Sequence, residues 1–231
     1  MRSSKWHANG NVYALVEPDE PLDEDSARAH ALGTDGVLEV VAVDGTEAEI
    51  VIWNPDGSRA EMSGNGTRIA AAWLAERAGA ESVRVRTGGR TVAARRLADG
   101  RIEQELGELT VFPPEVVAGV EVTTVSVGNP HAVVVGDPDS ITRIGPLLET
   151  HPRFPQRTNV QVVRVDGPGI VTARVWERGV GETQSSGTSA VAVAAATHGE
   201  GQVRVSFPGG DLDVRIADGR AWLTGPAERL D

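Results

Sequence analysis

Two serines stand where a side-chain oxygen could do chemistry. "AEMSGNGTRIAAAWL", residues 60–74, puts Ser63 ahead of a Gly-Asn-Gly turn and an alanine-rich helix, and "ETQSSGTSAVAVAAA", residues 182–196, puts Ser186 ahead of Gly187, Thr188 and a second such helix. A helix N-terminus leaves backbone N–H groups unpaired and carries the positive end of the macrodipole. Two of them directed at one ligand would hold a carboxylate and leave both hydroxyls beside it. Either serine taken alone reads as an ordinary N-cap, whose oxygen accepts from a backbone N–H.

Their company changes that reading. Asn54 in "IVIWNPDGS" precedes Ser63 by nine residues, and Glu177 in "ARVWERGVG" precedes Ser186 by nine. Both are polar groups closing an apolar strand at the same place in a repeat. "GNPHA" adds Asn129 and His131, "FPQRTNVQ" adds Asn159, and "HANGNVY" adds Asn11. Singly, each Asn suits a turn, His131 a satisfied structural histidine and Arg178 a surface charge. Spread over strand ends in both halves, they argue for a site.

The elements that must position these groups follow from internal similarity. "VRVRTGG" at Val83 returns as "VRVSFPGG" at Val203, and "ADGR" at Ala98 returns at Ala217. These offsets of 120 and 119 residues, with 123 between the two serines, keep one order and imply two related halves. Each half reads as short alternating strands, a Ser-Gly turn opening one helix, then hairpins with Gly-Gly or Asp-Gly turns. The first helix keeps Ile69, Trp73 and Leu74 on one side and stops near Gly79, whereas the second is apolar all round and should be buried and wrapped by strands. The expected fold is α+β: two pseudo-symmetric lobes, each a curled, mostly antiparallel sheet around a central helix, with a ligand cleft between them. Pro113 and Pro114 break the pattern and set the expected division into 1–114 and 115–222, with 223–231 returning to the first lobe.

Composition excludes several chemistries. Cysteine is absent, which removes disulfides, thiolate zinc sites and iron–sulfur clusters. Lys5 is the single lysine, a poor prospect for a pyridoxal phosphate Schiff base. There is no P-loop and no strand–G-x-G-x-x-G–helix unit. The expectation is therefore catalysis by side chains alone, with no cofactor and no metal. A formal charge of −11 speaks against a nucleic-acid partner. No membrane span and no secretion signal can be read, so the cytoplasm is the expected compartment.

Taken in order, "HANGN", "GTDGV", "NPDGSRAEMSGNGTR", "VGNPHAV", "RTNVQ", "WERGVGETQSSGT", "FPGG" and "LTGPAE" closely resemble diaminopimelate epimerase across essentially the whole chain. The resemblance implies a cofactor-independent epimerase of two pseudo-symmetric lobes that interconverts LL- and meso-diaminopimelate on the route to lysine and peptidoglycan, and it suggests a homodimer. Ser63 and Ser186 match the family's two catalytic cysteines. Asn11, Asn54, Gly64, Asn65, Asn129, Asn159, Glu177, Arg178, Gly187 and Thr188 match substrate-site positions, and His131 and Glu177 match supports for the two acid/base groups.

Inverting an α-carbon without a cofactor requires one group to remove a proton and another to deliver one on the opposite face. Here the sequence departs from the family. An aliphatic hydroxyl ionises near the pKa of water, so thiol to alcohol widens the gap to a working base by ~7 units. At 1.36 kcal/mol per unit that is on the order of 9 to 10 kcal/mol, close to the rate enhancement of a modest enzyme. The expectation is an intact substrate set with impaired turnover. The alternatives are a silent homologue that binds a diamino acid, or a related isomerase or dehydratase using Glu177 as its one base.

Overall fold

The computed structural model describes residues 1–60 and 62–231, and the chain divides into two compact units, Met1–Glu105 with Thr224–Asp231, and Leu106–Leu223. In the first, β1 (Arg2–Ala8) and β2 (Asn11–Glu17) form a hairpin, followed by α1 (Glu24–His30), β3 (Val37–Asp44), β4 (Glu47–Trp53), β5 (Arg59–Ala60), α2 (Gly64–Ala78), β6 (Ser82–Thr87), β7 (Arg90–Arg96) and β8 (Ile102–Glu108). The second runs through β9 (Thr110–Val111), β10 (Glu115–Val117), β11 (Val120–Ser126), β12 (Pro130–Val135), α3 (Ile141–Glu149), β13 (Asn159–Gly167), β14 (Ile170–Glu177), β15 (Gly181–Thr183), α4 (Gly187–Thr197), β16 (Gly201–Phe207), β17 (Gly210–Ala217) and β18 (Arg220–Gly225). The last strand, β19 (Glu228–Arg229), pairs with β1.

The repeated sequence is a repeated topology. β2 and β3 are parallel, as are β12 and β13. β3–β4 and β13–β14 are antiparallel. β6 lies parallel to β4, and β16 parallel to β14. The two "VRV" stretches are therefore equivalent strands, and the two "ADGR" segments join equivalent hairpins. Asp218 and Gly219 both take positive φ, 51° and 68°, which matches the twist of the strands that this tight turn connects. The passage between units falls at Glu105–Leu106, before the Pro113–Pro114 pair, because β9 already pairs with β11 of the second unit.

The helices α2 and α4 are enclosed. α4 buries Gly187 and every residue from Ser189 to Ala195, as its apolar circumference requires. α2 differs from the one-sided helix expected: Asn65 through Ala75 are all buried. The small side chains Ala70, Ala71 and Ala72 let strands approach faces that a polar residue would have turned to water. Leu38, Ile50, Ile52, Val85 and Ile102 pack around α2, and Gly79 ends it in the left-handed conformation at φ 60°. In the second unit Val122, Val134, Val160 and Val162 pack with Ile141, Ile144 and Leu148 of α3.

Candidate active site

Both serines occupy helix N-caps with extended backbone, but their hydroxyls do different things. Ser63 Oγ accepts from the Gly66 N–H at 3.0 Å, a helix cap, and also meets the Tyr13 hydroxyl at 3.0 Å. Ser186 makes no side-chain cap bond. Its hydroxyl is bonded to the Glu177 carboxylate, which also accepts from Thr183 Oγ1 at 2.6 Å. Capping thus accounts for Ser63 and fails to account for Ser186, which is buried with 8 % exposure.

Burial raises the Glu177 carboxyl above its ordinary value, and the bonds from Thr183 and Ser186 only partly oppose this. A carboxylate so desolvated is a stronger base than a solvated one and sits in contact with a hydroxyl, the arrangement of an activated oxygen.

In the first unit, Asn65 donates to Asn11 Oδ1, and Arg68 Nη2 donates to both Asn65 Oδ1 at 2.9 Å and Asn9 Oδ1 at 2.7 Å. Arg68 is fully buried, and desolvation lowers its pKa to about 9. Its Nε donates to Pro226 O at 2.9 Å, which ties α2 to the C-terminal segment of the same unit. Gln104 donates to Gly64 O at 3.0 Å and accepts from Thr67 Oγ1 at 3.1 Å. Asn54 is held within its own turn: its amide donates to Ser58 Oγ at 2.9 Å and its backbone N–H donates to Ser58 O at 2.8 Å.

In the second unit, Asn159 accepts from the Arg178 N–H at 3.0 Å and donates to Pro130 O at 3.1 Å, which clamps the "ERGVG" turn to the "GNPHA" turn. The Arg178 guanidinium is exposed and reaches Gln156 O at 3.2 Å. Asn129 bonds to His131 Nε2 at 2.9 Å and to Thr188 Oγ1 at 3.4 Å. His131 is fully buried, and desolvation holds its pKa down to about 3, so its ring is neutral. Gly187 opens α4 behind Ser186.

A parallel anchor lies behind each of the two strand ends. Trp53, just before Asn54, donates its indole N–H to Glu39 at 2.8 Å, and Trp176, just before Glu177, donates its own to Glu149 at 2.8 Å. Glu149 further accepts from the Gly179 N–H at 2.6 Å and pairs with Arg157 at 2.8 Å. Sequence reasoning missed Tyr13, Arg68, Gln104, Gln161, Thr183, Glu39 and Glu149. Two had a signal: Tyr13 is the single tyrosine, and Arg68 is a charge inside a run of small and apolar helix residues. Among the described residues no cluster of three or more His, Asp or Glu side chains could hold a metal ion. No helix among them is long and apolar enough to cross a membrane.

The architecture is one found in solved epimerases: a predicted epimerase from Pseudomonas aeruginosa matches with TM-score 0.78 at 17 % identity over 100 % of this chain and 97 % of that one. A hydroxyproline epimerase from Agrobacterium vitis matches with TM-score 0.68 at 16 % identity over 99 % and 90 %. The diaminopimelate epimerase family profile matches residues 3–111 and 123–230. The chain is 40 % identical to a diaminopimelate epimerase of a Synechocystis strain over 98 % of its own length and 96 % of the relative's. It is 36 % identical to that of Desulforudis audaxviator over 100 % and 97 %. This chain belongs to the diaminopimelate epimerase family.

Proposed function

We propose that this chain is a cofactor-independent epimerase of diaminopimelate that exchanges the α-proton through Ser63 and Ser186, at a turnover limited by the two hydroxyls. The carrying observation is the Ser186–Glu177 contact: the hydroxyl is withheld from the helix cap and given to a carboxylate of raised pKa. Glu177 draws the proton from Ser186 as that oxygen takes one from carbon. Ser63 acts on the other face with the Tyr13 hydroxyl as its partner. Neither helix carries an acidic residue in its first turn, so no side-chain carboxylate there offsets the positive end of either helix dipole. Asn11, Asn54, Gly64, Asn65, Asn129, Asn159, Arg178, Gly187 and Thr188 complete the substrate set, and His131 supports it. A cytoplasmic homodimer accompanies this proposal, and sedimentation velocity checks the assembly.

The test is proton NMR of diaminopimelate with the protein in deuterated buffer. Solvent deuterium should enter the α-carbon slowly, and a Ser63→Cys, Ser186→Cys protein should accelerate the exchange by roughly a hundredfold or more. Thermal stabilisation by diaminopimelate without exchange in either protein would leave a binding protein instead. A cysteine protein that neither exchanges nor binds would remove the proposal.

A further inference from the structure

One buried polar chain in the second unit is not used by the proton transfers. Gln161 on β13, Ser189 on α4 and His131 on β12 are all fully buried. Gln161 Nε2 lies 2.9 Å from Ser189 Oγ and 3.1 Å from His131 Nδ1. The other ring nitrogen, Nε2, lies 2.9 Å from Asn129 Oδ1, and Asn129 Nδ2 lies 3.4 Å from Thr188 Oγ1. The parallel register of β12 and β13 brings Gln161 level with Val133, two residues beyond His131, so both side chains leave the sheet on the face that α4 covers.

With the amides in the orientations observed, which leave Gln161 Oε1 buried and without a hydrogen-bond partner among the described residues, the ring contacts fit one proton arrangement. An amide nitrogen has hydrogens and no available lone pair, so it can only donate. His131 Nδ1 is therefore the acceptor, and the single proton of the neutral ring sits on Nε2. That N–H donates to Asn129 Oδ1. With its oxygen held by the ring, the Asn129 amide turns its NH2 toward Thr188 and the first turn of α4. The opposite ring tautomer would need an acceptor at Nδ1 and would reverse the Asn129 amide.

We propose that Gln161 is a positioning residue: by donating to His131 Nδ1 it selects the Nε2–H tautomer, and through that ring it makes Asn129 present N–H groups to an oxygen acceptor of the bound amino acid. The last step rests on the functional reading above, in which Asn129 faces the substrate. His131 is in this role a rigid neutral spacer, and burial keeps it neutral through the physiological range.

The test uses 15N-histidine-labelled full-length protein and long-range 15N–1H correlation, which reads the protonation of each ring nitrogen. His131 should show a protonated Nε2 and a bare Nδ1, unchanged between pH 8 and pH 5. Gln161→Met should abolish that single tautomer, Gln161→Glu should put a proton on Nδ1, and Ser189→Ala should leave the ring as it was. Gln161→Met should also raise the diaminopimelate Kd by on the order of tenfold, the loss of one hydrogen bond to a charged group. A wild-type ring protonated on Nδ1 and bare on Nε2 overturns the proposal. So does a Gln161→Met protein that keeps both the Nε2–H tautomer and the wild-type Kd, which would make the residue merely structural. The ring signals are read without ligand, so wild-type protein showing the Nε2–H ring but no affinity for diaminopimelate would defeat the functional reading and leave the tautomer selection standing.

Discussion

Replacing Glu149 by Gln keeps the shape of the side chain and changes what it can accept. The carboxylate takes the Trp176 indole N–H on one oxygen, and the Gly179 N–H and Arg157 on the other. A carboxamide has one oxygen, so in either orientation its NH2 must face one of these donors. Leaving a buried donor unpaired costs about 1–3 kcal/mol, and the surviving bond loses its charge assistance, about 1 kcal/mol. The Arg157 ion pair adds no more than about 1 kcal/mol, because that guanidinium is half exposed. The expected destabilisation is about 3 kcal/mol, read as a lower urea midpoint at unchanged slope from tryptophan fluorescence. The pH dependence gives an independent reading. Burial pushes the Glu149 carboxyl up, but the Gly179 N–H, the Trp176 indole and Arg157 together outweigh it and hold the pKa below 4.5. A folded-state pKa depressed in this way contributes stability above the unfolded value and loses it as pH falls through the folded one. The wild type should therefore lose stability below about pH 4.5 more steeply than Glu149→Gln. Because Glu149 holds both Trp176 and Gly179, which flank Glu177 and Arg178, deuterium exchange should fall as well. A variant within about 0.5 kcal/mol of wild type would refute the reasoning.

Gly145→Ala should cost about 1–3 kcal/mol by the same denaturation assay, since a Cβ there would lie 2.6 Å from Trp176 Cγ and 2.7 Å from its Cβ. Ser63→Ala removes the α2 cap and should lower stability by about 1 kcal/mol, and a circular-dichroism melt with no change would contradict the cap assignment. Thr183→Val deletes a bond that lowers the Glu177 pKa, so the acid limb of the exchange rate in the Ser63→Cys, Ser186→Cys background should move to higher pH. A limb that stays put would separate Glu177 from the base role.

Much of this molecule is legible in one dimension. The "VRV" and "ADGR" repeats implied two related halves, and those segments occupy equivalent strands and hairpins. The Ser-Gly turns open the two longest helices, and Gly79 closes the first, because capping is a local contest among groups a few residues apart. That α2 lies at the centre of a curled sheet was expected, but its burial on every side was not legible: its periodic large residues pointed to one face, while burial of the others depended on strands from elsewhere in the unit.

By itself, then, the sequence determined the duplicated architecture, the helix starts and the ordered motifs of the diaminopimelate epimerase family, since each is a matter of nearby residues and their spacing. The tertiary structure alone decided the partners. Tyr13 reaches Ser63 across 50 residues of chain, Trp176 reaches Glu149 across 27 and Gln161 reaches His131 across 30. A hydrogen bond acts over about 3 Å, and only paired strands and an enclosed helix bring groups so far apart in the chain to that distance, in surroundings dry enough to shift a proton.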